Sequence, residues 1–131
     1  MKKIIRLMGI ALIAMAFAAC GKSASPEGAV DAFLKSYQKG DYKALIEQTH
    51  FRTDLTQEQK EQFAKVLEEK IGPELEKKGG IASYDIEDAS ISEDGHSATV
   101  AYTIHYGNGS EKKDSEKLLL VNGKWMIDSG K

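Results

Sequence analysis

Cysteine occurs once, at Cys20, so no intramolecular disulfide is possible and the fold must be held by its core. Proline occurs only at Pro26 and Pro73, which leaves long stretches free for regular helix and strand. The three histidines, His50, His96 and His105, are scattered, and with one cysteine they show no metal-ligand spacing. The longest apolar run, 7–19, falls short of the roughly 20 residues that a membrane-crossing helix needs. A phosphate loop, a nucleophile elbow and a dinucleotide fingerprint are all missing.

The first twenty residues are informative. Lys2, Lys3 and Arg6 precede the apolar run, and Ala18, Ala19, Cys20 and Gly21 follow in order. A basic start, a short apolar stretch and small residues at a cleavage point make a secretory leader over residues 1–19. Residues 17–20 resemble the lipobox of bacterial lipoproteins, with Phe17 where leucine is usual. That resemblance implies cleavage before Cys20, a diacylglyceryl thioether on its sulfur and acylation of its new amino terminus. One acyl chain binds a bilayer marginally, at about 0.8 kcal/mol per buried methylene, whereas two or three hold durably. Gly21, in place of the aspartate that retains lipoproteins at the inner membrane, favours the outer membrane by analogy. The tether 20–25 carries no acidic run, which favours a position facing the periplasm. The competing readings are a secreted protein with a stray cysteine and an uncleaved signal anchor.

Removing Lys2, Lys3 and Arg6 leaves 15 basic residues against 20 acidic ones, a net charge of about −5. This excludes nucleic acid as a partner and electrostatic adhesion to anionic lipid. Residues 26–131 have the length of a single domain.

Helices come first. Ser25-Pro26-Glu27 has the cap, the first-turn proline and the acidic residue of a helix start. Val30, Phe33, Leu34 and Tyr37 form one apolar stripe, and Gly40 stops the helix. Asp41 caps a short second helix with Tyr42, Leu45 and Ile46 inward, ending near His50-Phe51. Thr56 and Gln59 have capping-box spacing and open a third helix with Phe63, Val66, Leu67, Ile71 and Leu75 as its apolar residues. A kink or break is expected at Gly72-Pro73.

Strands follow. Residues 81–92 form the first, with a bulge near Glu87-Asp88 where the apolar phase slips. Residues 97–106 alternate strictly, with Ala98, Val100, Tyr102, Ile104 and Tyr106 on one face. Residues 111–121 begin charged and end Leu118-Leu119-Leu120-Val121. Asn122-Gly123 is a hairpin turn, and residues 124–128 close the sheet. Helices followed by a four-stranded antiparallel meander make an α+β domain.

The order of elements, with Lys39-Gly40-Asp41-Tyr42, Tyr106-Gly107-Asn108-Gly109 and Leu120-Val121-Asn122-Gly123-Lys124-Trp125, resembles a family of small bacterial lipoproteins sometimes labelled lumazine-binding-like. That family lies in the nuclear transport factor two-like, or cystatin-like, superfamily. The resemblance covers residues 24–129 and rests on turns and core positions. It implies a cone: helices packed on a curved four-stranded sheet, often with a pocket at the open end. It also implies dimerisation through the open sheet face in many members, and it supplies no catalytic residues. Enzymes of the superfamily, such as ketosteroid isomerase and scytalone dehydratase, use an Asp, Glu or His inside the cone.

The pieces available for such chemistry are His50, Asp85, His105 and the tyrosines Tyr37, Tyr84, Tyr102 and Tyr106. His105 is read as a solvent-facing strand residue and His50 as a helix-capping one, because spacing sets no second polar group beside either. No catalytic residue, metal or cofactor is assigned. Three functions follow. The favoured one is a non-catalytic, lipid-anchored binding or interaction module of the envelope, with a small molecule or an envelope protein as partner. The second is a carrier of a flat heterocycle, with Phe33, Tyr37, Tyr102 and Trp125 lining the cone. The third is a small lyase or isomerase, which needs a buried histidine or carboxylate with a hydrogen-bond partner.

Overall fold

The computed structural model describes residues 24–130. The leader, Cys20 and the tether as far as Ser23 lie outside the described residues. Three helices, α1 (Pro26–Lys39), α2 (Tyr42–Glu47) and α3 (Gln57–Lys77), accompany six strands: β1 (Thr49–His50), β2 (Ile81–Ile86), β3 (Ser90–Ile91), β4 (Ser97–Tyr106), β5 (Glu111–Val121) and β6 (Lys124–Asp128). They form an α+β domain with helices against one face of a curved sheet.

Side chains close the helix ends as the local sequence dictates. The Ser25 hydroxyl accepts from the Gly28 amide at 3.0 Å, with Pro26 in the first turn and Gly40 left-handed (φ 75°) at the other end. The Asp41 carboxylate accepts from the Ala44 amide at 3.2 Å. Thr56 and Gln59 exchange both bonds of a capping box at 3.1 and 2.9 Å. Pro73 does not end α3, which runs unbroken from Gln57 to Lys77. Proline removes the bond to the carbonyl four residues back, that of Glu69, and both residues are exposed, so water can take its place.

The sheet order is β1-β6-β5-β4-β2, with β3 pairing β4 beyond the end of β2. Six strands replace the expected four for two reasons. Residues 81–92 are two strands, because Ile86 pairs with Tyr102 and Ser90 with Thr99, so four steps on one side span three on the other. This extra residue sits at the phase slip beside Glu87-Asp88. The short strand β1 runs parallel to β6, pairing Thr49 with Ile127 and His50 with Asp128. Accordingly α2 stops at Glu47, and His50 is a strand residue rather than the end of a helix. At the β5–β6 hairpin, Asn122 (φ 50°) and Gly123 (φ 81°) are both left-handed, as a two-residue turn requires.

The main core joins Ala29, Val30 and Leu34 of α1 to the inward residues of β4 and to Leu118, Trp125 and Ile127. A second core joins Tyr42, Leu45 and Ile46 to Ala64 of α3, and Phe33 and Tyr37 pack against both. Three polar bonds fix α1 on the sheet. The Tyr84 hydroxyl donates to Asp31 Oδ1 at 2.8 Å, the Ala89 amide to Glu27 Oε2 at 3.0 Å, and Gln38 Nε2 to the Ile81 carbonyl at 2.9 Å. The buried strip of α3 follows Ala64, Leu67 and Ile71, so Phe63 and Val66 beside it are 39% and 45% exposed.

Candidate functional site

The site follows from the register between β4 and β5. The inward residues of β4 are Ala98, Val100, Tyr102, Ile104 and Tyr106, all buried. Ala98 faces Leu118 across the ladder, Val100 faces Glu116, Tyr102 faces Asp114 and Ile104 faces Lys112. Residues directly opposite share a face. The concave face of β5 therefore reads Lys112, Asp114, Glu116, Leu118 and Leu120. Leu118 is fully buried, Glu116 is half-buried, and the side chains of Asp114 and Lys112, 3.5 Å apart, are 45% and 55% exposed. Along one strand the inner face passes from solvent to core, and Glu116 stands at the boundary.

Tyr102 meets Glu116 there. Its hydroxyl donates to Glu116 Oε2 at 2.9 Å. Burial lifts the Glu116 carboxyl above the ordinary range; the Tyr102 bond opposes this by favouring the charged form, Asp114 adds to the rise and Lys112 opposes it. Desolvation wins, so the proton is held more tightly than on a solvated glutamate. The Tyr102 phenol is pushed up by its own burial and then by the Glu116 charge. The Tyr37 phenol is raised by burial, with Tyr106, Tyr42 and Glu116 near enough to add to the effect. Tyr37 and Phe33 meet as tilted rings with centroids 6.2 Å apart. Apolar rings thus surround one carboxyl that can accept from a ligand donor when charged and donate when protonated.

The four expected lining residues separate. Phe33, Tyr37 and Tyr102 gather at this end. Trp125 pairs with Leu120, six residues from the Asp114 level of Tyr102, hence about 20 Å along the strand. It lines a different cavity with Ala29 and Ala32.

The histidines lie elsewhere. His105 is on the outward phase of β4, with Nε2 2.8 Å from Asp85 Oδ2 and Nδ1 3.3 Å from Glu111 Oε2. Two carboxylates flank it, neither visible from local spacing, since cross-strand register brings them together. Asp85 is 78% exposed, so the cluster is a surface feature. His96 sits in an exposed turn, 3.8 Å from Asp94. His50 is half-buried in β1, and its carbonyl accepts from the Ser129 amide at 3.2 Å. Among the described residues, no cluster of three or more His, Cys, Asp or Glu could hold a metal, and no helix is long and apolar enough to cross a membrane.

Sequence reasoning passed over Glu116. The signal was its phase: it lies two residues before Leu118 and four before Leu120, on the same face, within a stretch otherwise charged on both faces.

The fold has known counterparts. A Campylobacter jejuni protein provisionally described as an NTF2-like transpeptidase superposes with a TM-score of 0.63 at 19% identity, covering 79% of this chain and 97% of that one. A SEC-C motif containing protein from Rhodopseudomonas palustris gives a TM-score of 0.53 at 16% identity, covering 86% and 82%. A protein of unknown function with a cystatin-like fold from Methylobium petroleophilum gives 0.52 at 13% identity, covering 82% and 76%. At such identities the likeness is one of fold. No curated protein sequence matches the chain significantly. Residues 18–128 match the family described as a domain of unknown function (DUF4878), so the chain belongs to that family, built on the nuclear transport factor two-like fold.

Proposed function

We propose that this protein is a lipid-anchored module of the bacterial cell envelope, held at Cys20, that binds a small ligand at the open end of its cone without transforming it. The anchor is supported by the sequence of the leader, and outer-membrane placement by Gly21 after the cysteine. The observation that carries the binding reading is the Tyr102–Glu116 pair at 2.9 Å, set among Phe33, Tyr37 and Tyr106 where the concave face passes from core to solvent. The matching ligand has an apolar, preferably flat, body and one hydrogen-bond donor or positive centre for Glu116. Membrane lipid and this ligand are the proposed partners.

The experiment is solvent extraction of the acylated protein purified from membranes, followed by mass spectrometry, beside the Cys20→Ser variant. The reading requires wild type in the membrane fraction with a bound small molecule, and Cys20→Ser in the soluble fraction. If Cys20→Ser fractionates with membranes as wild type does, the anchor is wrong.

A second reading, a small lyase or isomerase, is favoured by the same carboxyl: a raised acid beside a phenol is a general acid–base arrangement. Chemical change of the extracted molecule on incubation with wild type, absent with Glu116→Gln, would select it over pure binding.

A further inference from the structure

A second site lies at the opposite end of the sheet. A cavity of about 340 Å³ opens between α1, the end of α2 and β6, with Ala29 and Ala32 on one wall and Gln48 and Trp125 on others. A second cavity of about 380 Å³ adjoins it, reaching His50, Phe51 and Leu55. Glu47, Lys124 and Met126 line both, so the two are lobes of one groove joined at those residues.

The groove has three chemical features. The inner lobe is apolar: two alanines on α1 leave room opposite the indole of Trp125. Gln48, on its wall, has a buried Oε1 that accepts no hydrogen bond, while its Nε2 donates to Ser36 Oγ at 3.2 Å. An unsatisfied buried acceptor is costly. Lys124, at the junction, has no ion-pair partner among the described residues, whereas its neighbour Glu47 is engaged by Lys60 at 3.3 Å. The groove therefore offers an apolar slot, an acceptor lacking its donor and a free cation.

We infer that this groove binds an N-acylated amino acid with a free carboxylate, either as a small molecule or as the last residue of a peptide. The apolar side chain fills the inner lobe, the amide N–H supplies the donor that Gln48 lacks, and the carboxylate pairs with Lys124. The acyl group, or the preceding peptide, runs along the outer lobe past Phe51 and Leu55. This site is independent of Glu116.

Trp125 is the only tryptophan of the chain, so its fluorescence reports on the inner lobe directly. The full-length protein in detergent is titrated with N-acetyl-leucine, with N-acetylleucinamide, and with a hexapeptide ending in leucine. The acid should give a saturable change. The amide, and the acid against Lys124→Ala, should bind about tenfold more weakly, the loss expected for a charge-assisted hydrogen bond. Ala32→Leu, which fills the lobe, should abolish the change. A hexapeptide binding at least tenfold tighter than N-acetyl-leucine identifies a peptide end as the source; equal affinity identifies a free small molecule. No saturable change with any probe overturns the assignment, as does an amide that binds as tightly as the acid. Lys124 is exposed, so Lys124→Ala leaves the fold intact and still tests the proposal if Ala32→Leu misfolds.

Discussion

The Tyr102 hydroxyl lies 2.9 Å from Glu116 Oε2 and donates to it, although the residue directly opposite Tyr102 in the ladder is Asp114. The bond is thus diagonal and runs toward the core, from Tyr102 on β4 to the deeper of two carboxylates on β5. It ties down the acid that burial makes hardest to ionise.

Glu116 should leave a mark on the pH dependence of stability. Its carboxyl is raised from the ordinary 4.5 mainly by desolvation. The folded protein therefore holds this proton more tightly than the unfolded chain does. The resulting stability is full below about 4.5 and is lost as pH rises through the elevated value. Paired denaturation curves of wild type and Glu116→Gln across this range isolate the effect. Wild type should lose stability relative to the variant as pH rises; a flat difference contradicts the assignment.

Gly107 should tolerate no side chain. Its amide donates to the Gly80 carbonyl at 2.9 Å, and a Cβ there would stand 2.2 Å from the Gly79 carbonyl oxygen. Backbone on both sides leaves nothing flexible to give way. Gly107→Ala should cost about 2–4 kcal/mol in urea unfolding, against a small change for an exposed surface substitution.

Tyr84 pins α1 to β2 through Asp31. Burial, and then that hydrogen bond, push its phenol up to about 12. Tyr84→Phe should cost about 1 kcal/mol, since Asp31 stays partly solvated and keeps Lys35 at 3.7 Å. The raised phenol contributes stability below pH 10 that is lost as pH climbs toward 12. Alkaline unfolding of wild type should therefore converge on that of the phenylalanine variant.

His105 should matter little despite its two carboxylates. The cluster is on the outward face and mostly exposed, and such pairs contribute at most about 1 kcal/mol. His105→Gln should leave ligand binding unchanged and shift stability by no more than that. Loss of bound ligand in this variant would move the site to the outer face.

Local signals in the sequence were reliable where one segment decides its own structure. The caps at Ser25, Asp41 and Thr56, the alternation of 97–106 and the Asn122-Gly123 turn each act within a few residues. What escaped depends on distant partners. The strand β1 has two residues and no periodicity, and exists only because β6 lies alongside. Phe63 and Val66 share the apolar spacing of α3, yet the strip facing α2 runs through Ala64. Tyr102 could be read as inward from its phase. The position of Glu116 requires the β4–β5 register, because charged neighbours on both faces hide its phase. Trp125 was inward as expected, but only the register shows that it belongs to the far end of the sheet.

The most direct test of the account is native mass spectrometry of wild type, Glu116→Gln and Tyr102→Phe, each purified from membranes in the same detergent. The account requires a bound small molecule on wild type, its loss from Glu116→Gln and reduced occupancy on Tyr102→Phe, with all three folded. An unliganded wild type, or equal occupancy on wild type and Glu116→Gln, would contradict it.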